Sequence, residues 1–501
     1  MIRSLYLQIL FWWNYRPLQL IIIIAAILRI LSAIFSKGYG MHDDHFLVIE
    51  VAQKWVEGIP QWFDLGKPSL HSLIYPGLHY LLFSFFEAIG ITDPQTKMYF
   101  VRMIHALYSL LIVYFGYKIA LQISDKKTAS IVGIILATLW CLPFLSVRNL
   151  REITCIPPLL MGFYYLYKSR ISRNYKRYLI ISGALFAVAF TFRYQTLFFP
   201  AGLGLVLFFQ KDWKSLLYSS FSFIVFVFTL QGVLDWFAWG YPFASLHAYY
   251  LYNSQHANAF ITAPWYQHIL TLVAYLGPPA SLIFVWGFLK SWRKVGEIFW
   301  PVLIFLFFHS LFPNKQERFI FPLIPFIVLL GVIGWQEFVK RSVYWRRHPK
   351  FLNAVWTYFW IVNTIALLFY SFTYSKRSRV EAMYYLHNQN DFEYALLESY
   401  RDRVPFPPLF YLDKWYNTYE LSSKSSLRRL KRDIKYIGKT PPNYIVLFGD
   451  KDLEKRIQRI KTLFPDITQK TVIDGSFIDE LLLKLNPKFQ ANDRAYIYKI
   501  N

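Results

Sequence analysis

Along the chain, apolar residues gather into long unbroken runs, and the polar positions between them fall in short stretches rich in Lys and Arg. A helical bilayer crossing needs about 20 predominantly apolar residues. About ten runs answer to that length, at roughly 18–36, 103–123, 128–146, 153–168, 178–192, 195–210, 216–234, 267–289, 297–313 and 319–339, with an eleventh at about 352–373. The pattern predicts a mainly α, polytopic transmembrane bundle of about eleven spans. The opening MIRSLYLQILFWWNYRP has no small-residue cleavage site, so an uncleaved first helix is expected rather than a signal peptide.

A further apolar segment at about 73–91 decides the topology. If it does not span, one face collects Arg3, Arg16, Lys126, Lys127 and the basic clusters near 168–177, 211–214, 290–294 and 340–350. If it does span, every later cluster changes sides relative to the N-terminus. The positive-inside bias favours the first arrangement. The segment is therefore expected to lie in the plane of the outer interface, within one large outer loop of about 37–101.

From about residue 375 the apolar runs shorten to strand length, as in NYIVLFGD (443–450) and AYIYKI (495–500), and alternate with helix-like stretches near 425–434 and 452–463. This predicts a transmembrane domain over 1–374 and a small C-terminal α/β domain over 375–501. Eleven spans and an inside start place that domain outside.

Composition agrees, because 55% of the 501 residues are hydrophobic and 20% aromatic, more aromatic surface than soluble cores use and well suited to interfacial belts. A formal charge of +24 could signal nucleic acid, but the cations cluster between apolar runs and in the last quarter, which points to anionic membrane lipid and to no nucleic acid. The two cysteines, Cys141 and Cys155, lie in or beside apolar segments and carry no disulfide pattern.

Ionisable residues near a bilayer are costly and call for a reason. On the outer face the first loop opens with MHDDHF, bringing Asp43 and Asp44 together with Glu50 two helical turns on. Adjacent carboxylates can share a proton or bind a cation, or can simply be solvated. Two histidines beside them make no specific metal signature, and no metal is expected, although a divalent ion at Asp43 and Asp44 stays open. The next outer loop, SVRNLRE, carries Arg148, Asn149, Arg151 and Glu152, and Arg193 sits in FTFRYQ with scarcely any loop around it. Such an arginine pairs with an acid, lines a polar cavity or snorkels. The loop of about 235–266 offers Asp235, Trp265 and Tyr266, whose aromatics either pack a sugar or serve the fold. FPNKQERFIFP places Lys315, Glu317 and Arg318 between two apolar helices, suited to an anionic head group or to an internal salt bridge.

These elements together resemble the polyprenyl-phosphate-sugar-dependent glycosyltransferases of the C-type superfamily. The likeness is strongest to the mannosyltransferase family that builds GPI anchors and the lumenal arms of N-glycans (glycosyltransferase family 22), with this chain as a bacterial-type relative. HDDHFLVIEVA stands where the family has His-Pro-Asp-Glu, so Asp44 aligns with the family aspartate, Asp43 replaces the proline and His45 the glutamate, while Glu50 and Ala52 follow in step. LHSLIYPGLHYLL is similar to the Arg-Ser…Tyr-Pro-Gly element, with His71 in place of arginine, and NKQERF to His-Lys-Glu-x-Arg-Phe. Asn149 and Glu152, Arg193, and Asp235 with PWY fit further elements, over roughly residues 20–340.

The resemblance implies an inverting transferase that moves one sugar, mannose or a similar hexose, from a polyprenyl-phosphate donor to a glycan or glycolipid acceptor on the outer face of the membrane. Asp44, with Asp43 beside it, would be the base. Lys315, Arg318 and Arg193 would bind the donor phosphate, and Glu50, Asn149, Glu152, Asp235, Trp265, Tyr266 and Glu317 would bind or orient substrate. No cofactor is implied. The expected setting is a bacterial inner membrane, with the active site and C-terminal domain facing the periplasm. A flippase of lipid-linked sugars and an O-antigen-type polymerase or ligase are the alternative readings.

Overall fold

The computed structural model describes residues 2–63, 66–259, 261–422, 425, 427–437, 439–485 and 494–501. The chain divides into two compact units. The first comprises residues 1–34, 57–81 and 101–372, and the second 35–56, 82–100 and 373–501. The first unit ends at residue 372, and the second resumes at 373. The second unit also draws two stretches from the first loop, which a linear division of the sequence does not contain.

The first unit is helical, and every predicted apolar run carries helix. The count of about eleven spans is not confirmed by helix length and composition. Among the described residues six helices are long and apolar enough to cross: Pro17–Phe35, Pro94–Ile123, Tyr175–Phe192, Trp213–Trp239, Glu317–Arg341 and Pro349–Ser371. A seventh arises if Ser281–Ser291 and Gly296–Leu311, bent by 119°, form one broken span. The other runs are interrupted. The stretch expected at 128–146 is a helix over Lys126–Thr138 followed by a separate turn over Cys141–Ser146. The stretch expected at 267–289 breaks between Gln267–Tyr275 and Ser281–Ser291, around the sequence Gly277-Pro278-Pro279. The segment near 73–91 is a helix over Ile74–Ala88.

Packing between helices uses the absence of side chains where backbones meet. A Cβ on Gly287 would lie 1.8 Å from the carbonyl oxygen of Gly331, and one on Gly334 would lie 1.9 Å from that of Gly287. Helices Ser281–Ser291 and Ile324–Arg341 thus touch backbone to backbone, a contact that membrane helices favour because dispersion replaces the missing hydrophobic drive. Arg29 lies fully buried in the first span. It donates to Ser109 Oγ at 2.9 Å and to the carbonyls of Ala137 and Leu136 at 3.0 and 3.2 Å. Those carbonyls end helix Lys126–Thr138, so the guanidinium closes an otherwise orphaned helix terminus.

The second unit is built on a five-stranded sheet of β1 (Ala395–Ser399), β2 (Thr418–Leu421), β3 (Tyr444–Phe448), β4 (Ile467–Ile473) and β5 (Ala495–Ile500) in the order β2-β1-β3-β5-β4. β1 runs parallel to β2 and β3, whereas β5 is antiparallel to both β3 and β4. β1 and β3 are buried along their whole length, as expected of strands covered on both faces. Helices Leu427–Ile437 and Leu453–Lys461 coincide with the two helix-like stretches in the sequence. Leu396, Ile445, Leu447, Ile460 and Phe464 form the core on one face.

Candidate active site

In the first unit, three chain breaks bring charge to one place. The short helix Arg151–Thr154 starts after the extended Leu150 and carries Glu152 in its first turn. Arg193 ends helix Tyr175–Phe192 in an extended conformation, φ −151° and ψ 110°. Arg318 lies in the tight turn Glu317–Leu323 that opens the next span. The Arg193 Nη1 donates to Glu152 Oε1 in a short, buried contact, and Arg318 Nε stands 3.8 Å from the same oxygen. Both guanidiniums lie over the Phe319 ring, with centroid distances of 5.2 and 5.7 Å. Arg318 Nε is further oriented by Gln316 Oε1 at 2.9 Å.

Burial alone would raise the Glu152 carboxyl, but Arg193, Arg318 and Arg151 outweigh it and hold the group below the usual carboxylate range. Glu152 is therefore ionised at neutral pH. His71 moves the other way: burial, then the positive charge of Arg151, Arg318 and Arg193, keeps it well below the usual imidazole range and neutral. Gln195 donates to the Tyr249 hydroxyl, whose ring lies 6.3 Å from that of His71. Among the described residues, the Arg193 Nε and Nη2 and the Glu152 Oε2 have no hydrogen-bond partner, although all three are buried. Buried polar atoms without a partner are uncommon and mark a place where a ligand or water completes the set.

Other expected site residues of this unit are engaged elsewhere. Lys315 is buried, and its Nζ donates to the carbonyls of Ser310 at 2.9 Å, of His309 at 3.2 Å and of Phe312. These are the last carbonyls of helix Gly296–Leu311 and its cap, so the three ammonium donors are spent on a helix end. Asp235 accepts from Ser245 N and Oγ at 2.9 and 2.8 Å, fastening the first turn of helix Ala244–Gln255. Glu317 accepts from the Tyr275 hydroxyl at 3.3 Å. Asn149 is buried beside the charged helix, whereas Trp265 and Tyr266 are exposed. The long loop and the NKQERF segment pair directly, through a bridge between Thr262 and Asn314 and a bond from Lys315 N to Ile261 O of 2.9 Å.

The second unit holds the first-loop acids. Residues His42–Asp44, His45–Ile49 and Glu50–Val56 form one continuous helical stretch with a widened middle turn. Asp43 is about half exposed, 3.8 Å from His42 Nδ1, while Asp44 is buried. His45 stacks between Tyr39 and Tyr411, with centroids at 4.6 and 5.5 Å. Its Nε2 lies 3.8 Å from Glu50 Oε1, which accepts from the Phe410 amide at 3.3 Å. Burial pushes the Glu50 carboxyl up to about 8 and the His45 imidazole down to about 3. At neutral pH this contact therefore joins two uncharged groups and is not an ion pair. Asp44 and Glu50, which share a motif, are both buried on this one helical stretch.

Arg151, His71, Tyr249 and Gln195 were not assigned site roles from the sequence. Arg151 and His71 lay within motifs already singled out. Tyr249 and Gln195 carried no signal beyond proximity to Arg193 and to a long aromatic loop.

Residues 20–416 match the family described as the Alg9-like mannosyltransferase family. The mannosyltransferase APTG1 of Arabidopsis thaliana is 21% identical over 406 residues, covering 75% of this chain and 70% of its own. GPI mannosyltransferase 3 of Kluyveromyces lactis is 27% identical over 207 residues, 37% of this chain and 33% of its own. Among solved structures, ArnT of Cupriavidus metallidurans bound to undecaprenyl phosphate superposes with a TM-score of 0.58 at 13% identity, covering 96% of this chain and 97% of that one. An oligosaccharyltransferase of Archaeoglobus fulgidus superposes with a TM-score of 0.51 at 11% identity over 87% of this chain and 70% of that one. With a family match over most of its length and a helical unit of this architecture, the chain belongs to the Alg9-like mannosyltransferase family and is a membrane glycosyltransferase of the GT-C fold.

Proposed function

We propose that the protein transfers a single mannose, or a similar hexose, from a polyprenyl-phosphate donor to a hydroxyl of a glycan or glycolipid acceptor, with inversion at the anomeric carbon. The observation that carries this reading is the pair of guanidiniums converging on buried Glu152, with the Arg193 Nε and Nη2 still lacking partners. An anionic phosphate oxygen fits such donors directly, because guanidinium pairs with phosphate through parallel N–H bonds. ArnT was solved with undecaprenyl phosphate, and the archaeal oligosaccharyltransferase AglB with dolichol-phosphate. Both support a lipid phosphate as the leaving group here.

In the proposed reaction the acceptor oxygen bonds to the anomeric carbon as the bond from that carbon to the phosphate oxygen breaks. The electron pair leaves with the polyprenyl phosphate, whose growing charge Arg193 and Arg318 stabilise. The acceptor proton passes to the Asp44 carboxylate. Asp44 takes this role from its place in the HDDHFLVIEVA motif. Asp43, Asn149 and Glu317 are assigned to orienting substrate, with Trp265 and Tyr266 as exposed sugar-facing rings. Glu50 supports the helical stretch that carries Asp44. Lys315 and Asp235, whose polar atoms fasten helix ends, are assigned to shaping the site. No cofactor is proposed. The proposed setting is a bacterial inner membrane, with the basic loop ends inside and the chemistry outside.

Membranes containing the protein, given a labelled polyprenyl-phosphate mannose and an extract of endogenous lipids and glycans, should yield labelled product with release of polyprenyl phosphate. Recovery of intact donor moved across the bilayer, with no new glycosidic bond, would refute the proposal.

A further inference from the structure

At the other end of the helices of the first unit, away from the breaks that carry Glu152 and Arg318, lies a cavity of about 750 Å³. Helices Phe198–Phe209 and Gly296–Leu311 run antiparallel here. They meet closely at Gly202, where a Cβ would lie 2.8 Å from Pro301 Cα, and the cavity opens beyond that contact toward Gln210 and Glu297. Its apolar wall is made by Leu205, Val206, Phe209, Trp300 and Ile304. Its polar rim carries Tyr167, Arg170, Arg293 and Lys294.

The charges on the rim are not equivalent. Buried Glu297 accepts from Arg170 at 2.9 Å, Tyr167 at 3.0 Å and Gln210 at 3.1 Å. Lys294 pairs with Glu337 at 3.2 Å. Exposed Arg293 lies over the Trp292 ring at 4.8 Å and has no carboxylate partner among the described residues. One cation without an acid therefore stands at the mouth of an apolar slot, flanked by two tryptophans. Trp and Arg at this position are what the polar–apolar boundary of a bilayer selects.

We infer that this cavity is a binding site for one anionic phospholipid, with its phosphodiester on Arg293 and Lys294 and an acyl chain between helices Phe198–Phe209 and Gly296–Leu311. A single negative charge complements the single unpaired cation, and the slot between the helices admits a hydrocarbon chain. Glu297, by binding Arg170 and Gln210, fixes both helix ends and keeps the slot open. The inference is independent of the transfer reaction, whose residues lie elsewhere.

The test uses the full-length protein in phosphatidylcholine nanodiscs with and without phosphatidylglycerol, and counts lipid retained on the protein by native mass spectrometry. Phosphatidylglycerol should be retained in preference to phosphatidylcholine. Arg293→Ala should lower that retention about fivefold, the effect of one interfacial cation. Val206→Trp, which fills the slot, should abolish it. Lys290→Ala, a cation of the same end that does not line the cavity, should leave it unchanged. Equal loss with Lys290→Ala, or equal retention of both lipids, would overturn the assignment by reducing the site to general surface attraction.

Discussion

The pairing of Arg193 with Glu152 allows stability and ligand binding to be separated. Both side chains are buried, at 6% and 3% exposure, and Arg318 stands 3.8 Å from the same carboxylate oxygen. Removing one member of a buried pair leaves an uncompensated charge and typically costs about 3–5 kcal/mol. Because Arg318 remains beside Glu152, Arg193→Met should fall at the lower end, about 3 kcal/mol. Glu152→Gln should cost a similar amount, since it leaves two guanidiniums facing a neutral amide. Removing both charges dissolves the buried pair but leaves Arg318 beside a neutral amide, so the double variant should cost about 3 kcal/mol, no more than either single. The double variant should then be more stable than the sum of the singles by roughly 3 kcal/mol.

Ligand binding divides the same variants differently. A lipid phosphate supplies the negative charge that Glu152→Gln has lost, so adding polyprenyl phosphate should raise the unfolding temperature of Glu152→Gln more than that of the unsubstituted protein. Saturation to a hundredfold excess over Kd contributes about 2.7 kcal/mol to whichever form binds. Arg193→Met and the double variant lack the donors and should bind roughly 10–100-fold more weakly, as loss of a charged hydrogen bond implies. Thermal unfolding in nanodiscs, with and without the lipid, reads both effects. If polyprenyl phosphate shifts Arg193→Met as much as the unsubstituted protein, the guanidinium is not a phosphate ligand and the proposed function loses its support.

Three further outcomes follow. Asp44→Asn should abolish transfer while leaving the Kd for polyprenyl phosphate within about twofold of the unsubstituted protein, as measured by labelled-product formation and lipid binding on one preparation. Glu50 has its folded value raised from 4.5 to about 8, so its stabilising contribution is complete below about 4.5 and is lost as pH rises through 8. The stability of the unsubstituted protein should therefore fall across that window by up to ~5 kcal/mol, and Glu50→Gln should flatten the profile. Lys315→Met should lower the unfolding temperature through three unsatisfied carbonyls, at about 1–3 kcal/mol, with little change in polyprenyl phosphate affinity. A large affinity loss without destabilisation would return Lys315 to the phosphate site.

Hydropathy made the helices of the first unit legible, because burying backbone in hydrocarbon leaves few alternatives to a helix. It did not reveal their lengths as spans. A window average passes over Gly277-Pro278-Pro279 and over the break before Cys141, where local backbone geometry ends the helix although the side chains stay apolar. Nor did it show that residues 35–56 and 82–100 fold with the C-terminal sheet. That association is held by long-range contacts such as Phe410 N to Glu50 and Tyr384 to Asp93, which no local pattern encodes. The sheet itself was easier to read: β3 and β5 are short β-branched and aromatic runs bounded by turn residues, and they form at the expected positions.

For the proposed site, motif order brought the candidate residues forward but could not tell which polar atoms remain available. Lys315 and Arg318 stand three positions apart in one motif and read alike as cations for an anion. The difference comes from where the preceding helix ends: Lys315 follows Leu311 closely enough to reach the terminal carbonyls, whereas Arg318 lies in the next turn and reaches Glu152. A lysine a few residues past an apolar helix has a strong local alternative to any ligand, because those carbonyls are orphaned and an ammonium has three donors. Arg193 lacks that alternative. Its helix ends at Phe192, its own backbone turns to an extended conformation, and the guanidinium meets a carboxylate that engages only one of its nitrogens. The remaining donors are what a phosphate would occupy, so the decisive property of the site is the state of the Arg193 guanidinium after folding rather than the number of cations in the motif.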